Sequence, residues 1–142
     1  VPLLVPADAE VAALTELSAE LPPRGFALTL VNGLLGTKLP TVTPKPPAFG
    51  RVITTGGVAR DRVTDSPTLV LEGYATSEQT ARDLCALMVA IVDAAATAGT
   101  LGGIPCYRAR GFSLPANLPH PNVPTHFRFT ATISVDLRRT TA

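Results

Sequence analysis

The chain has 142 residues, of which 46% are hydrophobic and 16% charged. That suffices for one domain with a sizeable core, spanning residues 1–142, and excludes a chain that is disordered throughout. The formal net charge of +1 argues against a protein built to grip nucleic acid.

Ten of the 12 basic residues are Arg, and only Lys38 and Lys45 are Lys. With abundant Ala and 14 Pro, this composition reads as the product of a GC-rich genome. The longest apolar run, around Leu84–Ala98, is broken by Asp93 and Thr97. It falls short of the ~18–20 residues of a membrane span, so no membrane partner is expected. The N-terminal Val1-Pro2-Leu3-Leu4-Val5-Pro6 has no basic region, and no signal peptide is expected there. Cys85 and Cys106 are too few and too far apart for a disulfide framework or a zinc ribbon, which points to a reduced, cytoplasmic protein.

Taken in chain order, Asp8 is a plausible N-cap, followed by Val11, Leu14, Leu17 and Leu21 at helical spacing. Glu10 in the first turn suits the helix dipole, and Pro22-Pro23 stops the helix, which spans about 8–21. Phe26–Val31 reads as a strand ended by Asn32-Gly33. Residues 32–48 form a Pro-rich excursion. Phe49–Thr55 and Val58–Val63 read as strands joined by a Gly56-Gly57 hairpin turn. Thr64–Pro67 reads as a second turn and Thr68–Ala75 as a third strand of a meander. Thr76 and Gln79 match a capping box for a helix whose apolar face holds Ala81, Leu84, Cys85, Met88, Ile91, Val92 and Ala95. Gly99 suits its C-terminal cap. Thr100–Pro105 reads as a loop, Cys106–Arg110 as a short strand, and residues 112–125 as a second Pro-rich excursion. His126–Arg138 alternates cleanly. Phe127, Phe129, Ala131, Ile133, Val135 and Leu137 share one face, and Arg128, Thr130, Thr132, Ser134, Asp136 and Arg138 the other. The expected order is α-β-β-β-β-α-β-β. It describes an α+β domain: a mostly antiparallel mixed sheet with two helices packed on one face.

Chemical motifs are sparse. Gly99–Gly103 follows a helix instead of opening one and lacks the Lys-Ser/Thr ending of a phosphate loop. Gly111-Phe112-Ser113 is not a nucleophile elbow. His120 and His126 flank a Pro-rich loop with no carboxylate or cysteine at ligand spacing, and read as surface histidines. Cys85 lies on the apolar helix face and Cys106 has no neighbouring base, so neither reads as a nucleophile. Asp61, Asp65 and Glu72 alternate with Arg60 and Arg62 and read as surface ion pairs. Arg108, Arg110 and Arg128 form a basic stripe if their strands are neighbours, which suits a solvated or intersubunit face. No catalytic residue, metal site or cofactor is expected. Two ordered Pro-rich excursions of this length suggest segments that contact a partner.

The stretch Gly56-Gly-Val-Ala-Arg-Asp-Arg-Val-Thr-Asp65, then Leu69-Val-Leu-Glu-Gly-Tyr-Ala75 and a long Ala-rich helix, resembles the tail terminator proteins of long-tailed phages. The likeness is to those of phages infecting high-GC actinobacteria. Tyr107-Arg108, Leu118-Pro-His-Pro121 and Pro124-Thr-His-Phe-Arg-Phe-Thr130 continue the pattern. It covers about residues 8–138 in order and spacing, and none of its motifs is chemical. Relatives often carry an acidic residue where His120 stands, and the stretch 112–125 departs most from the family pattern.

The resemblance implies a small, non-enzymatic α/β virion subunit made in the host cytoplasm. It would form a hexameric ring at the tail–neck junction that caps the finished tail tube and joins it to the head–tail connector. The partners would be further copies of the chain, the tail tube protein and the head-closure protein. Genomic DNA would pass through the lumen without sequence-specific binding. Arg60, Arg62, Arg108, Arg110, Arg128, Thr130 and Thr132 are the candidate interface residues. A head-closure or other neck protein is the alternative, and a ligand-binding or enzymatic α+β domain a more distant one.

Overall fold

The computed structural model describes residues 3–110 and 113–142. Val1, Pro2, Gly111 and the first residue of the second excursion, Phe112, lie outside the described residues.

Strand β1 (Leu4–Val5) pairs with β9 (Thr140–Thr141) as a two-stranded ribbon. Helix α1 (Ala9–Glu20) begins at Asp8, whose Oδ1 accepts the Val11 N–H at 3.1 Å. Leu14, Leu17 and Leu21 are buried with Ala9, Ala12 and Ala13. Val11, expected on that face, is 54% exposed. A 3-10 turn at Pro22–Arg24 follows.

Phe26–Val31 is not a strand. The Asn32 side chain captures this segment, accepting the Thr29 and Leu34 N–H groups and donating to the Ala27 carbonyl. Side-chain bonds of this kind compete with ladder formation. The chain enters the sheet only at β2 (Leu35–Gly36), which runs parallel to β3 (Ala48–Ala59) and makes the sheet mixed.

The expected three-strand meander is a two-strand hairpin. β3 continues through Gly56-Gly57 and pairs with β4 (Thr64–Ala75), so Thr64–Pro67 is strand and the turn lies at residues 60–63. Asp61 Oδ1 holds that turn by accepting the Val63 and Thr64 N–H groups, both at 2.8 Å. The two glycines form a bulge, with the register shifting between Thr54 and Gly57. Gly57 has φ +137°, and a Cβ there would lie 2.3 Å from the Ser66 carbonyl oxygen, so a side chain is excluded. Pro67 sits opposite Gly57, where the ladder is already interrupted and its missing N–H is tolerated.

Helix α2 (Glu78–Ala98) is capped by Ser77, one residue later than expected, and ends at Gly99 with φ 102°. Instead of a loop, β5 (Thr100–Leu101) and β6 (Ile104–Arg110) form a short hairpin. β6 then pairs with β8 (Phe127–Arg138). The second excursion continues along the same edge of β8: Ser113 donates to the Thr132 carbonyl, and β7 (Ala116–Asn117) pairs with Thr130 and Phe129.

The fold is α+β: among the described residues, seven strands form one mostly antiparallel sheet and two α-helices accompany it. The path β2-β3-β4-β8-β6-β5 defines the sheet. Leu17, Val52, Leu71, Leu84, Met88, Val92, Ile133 and Leu137 form the core between helices and sheet. Burying each such side chain contributes roughly 1.5–3 kcal/mol. Phe127, expected in this core, is 39% exposed at the start of β8.

Candidate functional site

The face of the sheet away from the helices carries the polar chemistry. Alternation places Phe49 and Arg51 of β3, Glu72 and Tyr74 of β4, and the even-numbered residues from Arg128 to Asp136 of β8 on it. The bulge matters here. Before it, even-numbered residues such as Gly50 and Val52 face the helices; after the one-residue shift, Val58 and Arg60 face the open side.

Two carboxylates organise this face. Asp136, fully buried, accepts from Ser66 Oγ at 2.6 Å, Arg60 Nη1 at 3.0 Å and Arg110 Nη2 at 3.2 Å. Arg108 Nε lies 4.0 Å from it. Those three arginine side chains remain 43–55% exposed. Glu72, also buried, pairs with Arg51 and with Arg128, whose side chains are 19% and 18% exposed. Both readings of surface pairing are therefore corrected: Glu72 is internal, and Asp65 is a partly buried clamp for Arg139, which holds both its oxygens.

Tyr74 donates its hydroxyl to Glu72 Oε1 at 3.0 Å. Burial, reinforced by the Glu72 charge, pushes this phenol up to about 12. The Glu72 hydrogen bond raises the Arg51 guanidinium in turn. Tyr74 stacks on Phe49 at 4.7 Å, and Val123 of the second excursion closes this small second core. His126 is buried rather than superficial: Nε2 lies 2.7 Å from the Pro46 carbonyl oxygen and Nδ1 2.8 Å from Thr125 Oγ1. It ties the two Pro-rich excursions together. His120 packs 6.2 Å from the Tyr74 ring; desolvation, aided by Arg128 and Arg51, lowers its pKa below the usual imidazole value.

Of the sequence-predicted residues, the fold gathers Arg60, Arg108 and Arg110 around Asp136. Arg128 belongs to the separate Glu72 cluster. Thr130 and Thr132 lie on the same face, beside β7 and Ser113 at the edge of β8. Thr130 Oγ1 is buried with no hydrogen-bond partner. Arg62 stands exposed in the β3–β4 turn, apart from both clusters. Sequence reasoning missed Arg51, Ser66 and the buried role of Asp136; its polar parity on β8 was the available signal.

Both thiols are buried, and desolvation pushes Cys85 up to about 12 and Cys106 up to about 11. Among the described residues, no three His, Cys, Asp or Glu side chains gather as a metal-holding group. No described helix is long and apolar enough to cross a membrane. What the arrangement offers is a set of guanidinium groups paired to two buried carboxylates on one side of the sheet. No protein-family model matches the chain, and no curated protein matches it.

Proposed function

We propose that this chain is a structural virion protein of the tail-terminator type. In this reading it forms a hexameric ring that caps the completed tail tube of a long-tailed phage, ends its polymerisation and joins it to the head–tail connector. The ordered resemblance of residues 8–138, which implies a small α/β subunit, carries the reading. The open arginine face supports it further. Arg60, Arg108 and Arg110, half-exposed and paired to the buried Asp136, suit contacts whose register must be set, as in a ring docking on a tube. A ring that stacks like a tube ring would continue the tube, so the terminator must match the tube on one side only.

Electron microscopy of particles assembled without this protein tests the reading. The expected result is filled heads without tails, and free tails of excessive or irregular length. Normal-length tails joined to heads would refute it. Normal-length tails left unjoined would move the protein to head closure.

A further inference from the structure

The charges of this chain are segregated between its layers. Residues 8–24 and 78–98, which hold α1 and α2, carry seven carboxylates and two arginines, a net −5. The rest of the chain carries ten cations and four carboxylates, a net +6. Much of that surplus gathers around the end of the sheet at the β3–β4 turn. Arg60, Arg62, Arg108, Arg110, Arg138 and Arg139 lie there with Asp8, Asp61, Asp65 and Asp136, a net +2. Exposed apolar side chains sit among them: Val58 at 70%, Tyr107 at 49% and Val63 at 38%. In the helix layer, α1 and α2 leave a cleft of about 420 Å³. Leu87, Ala90, Ile91 and Ala94 line it, with Glu16 and Glu20 on the α1 side and Arg24, paired to Glu20, beside them.

We infer that the arginine-rich sheet end of one copy seats on the α1–α2 cleft of the next, a contact that rests on the ring reading above. Val58 and Val63 meet the apolar lining while the arginines face the helix-layer carboxylates. The two surfaces share no residue, so the contact is heterologous, and its repetition closes into a ring when the rotation allows. Opposite fixed charges draw unlike surfaces together and hold like surfaces apart, which fixes head-to-tail order.

The experiment is sedimentation velocity on the full chain across salt concentration, with two variants whose folding is checked by circular dichroism. Arg62→Glu/Arg138→Glu alters only exposed positions of the sheet end. Ala94→Tyr puts bulk without charge into the cleft from an exposed helical position. The wild-type chain is expected to form oligomers larger than a dimer that weaken as salt rises. Each variant alone should associate at least about tenfold more weakly, equivalent to ~1.4 kcal/mol. Mixed together, the variants should stop at a heterodimer, because one has an intact cleft and the other an intact sheet end. Oligomers that both variants form as readily as wild type would overturn this contact and leave the ring reading standing. So would an isologous dimer rescued by neither mixture. A wild-type chain that stays monomeric at low salt and high concentration would overturn both.

Discussion

The two carboxylate clusters look alike in composition, yet they should respond differently to the same perturbation. Glu72→Gln and Asp136→Asn each remove one buried negative charge and keep the side chain's size. Around Glu72, the Arg51 and Arg128 side chains are only 19% and 18% exposed. Losing the carboxylate strands two guanidiniums in a poorly solvated site and removes the acceptor of the Tyr74 hydroxyl. Breaking a buried pair in this way costs about 3–5 kcal/mol. Around Asp136, Arg60, Arg108 and Arg110 are 45%, 55% and 43% exposed and can turn into water. Their attraction to the carboxylate is already discounted by solvent, so Asp136→Asn should cost about 1–2 kcal/mol. Urea unfolding with a common m-value measures both. At 0.5 M salt the Asp136→Asn loss should shrink further, while the Glu72→Gln loss should hold. A cost for Asp136→Asn equal to or above that for Glu72→Gln would refute the reasoning that partner exposure sets the magnitude.

Adjacent positions on β8 test the two faces of the sheet: Ile133→Asp should give insoluble protein, because this side chain is fully buried against the helices. Thr132→Asp, on the open face, should fold with a loss of about 1 kcal/mol or less, measured in the same unfolding assay. With thiols pushed to about 12 and about 11, native Cys85 and Cys106 should stay unlabelled by iodoacetamide at pH 8, while urea-unfolded protein takes up two labels by mass spectrometry. Rapid native labelling of either would contradict its burial.

Strong periodicity was legible in the sequence and local competition was not. The α2 face from Ala81 to Ala95 and the β8 alternation from Phe129 to Leu137 are long enough to specify one answer each, and both are buried as read. Phe26–Val31 has strand composition but loses to a side-chain amide six residues from its start. Gly56-Gly57 has the composition of a hairpin turn, yet the same positive φ values serve a bulge when the flanking strands pair past it. Only the length of the partner strand distinguishes the two outcomes. Pro67, read as a turn residue, hid that length by standing inside β4.

That bulge is also why the candidate site was only half visible. With a Gly56-Gly57 turn, Arg60 would lie mid-strand with no fixed relation to β8. With an unbroken β3, the even-numbered Arg60 would point to the helix side, away from Asp136. One inserted residue reverses the parity and brings Arg60 to the face that Asp136 occupies, 76 residues later in sequence. A strand fault of this kind therefore joins fold and surface chemistry. It places a charge on the open face without adding a strand, and the buried carboxylate then fixes where that charge stands. The glycine requirement at Gly57, the turn held by Asp61 and the cation at Arg60 are consequences of one local geometry. They all fall within residues 56–65.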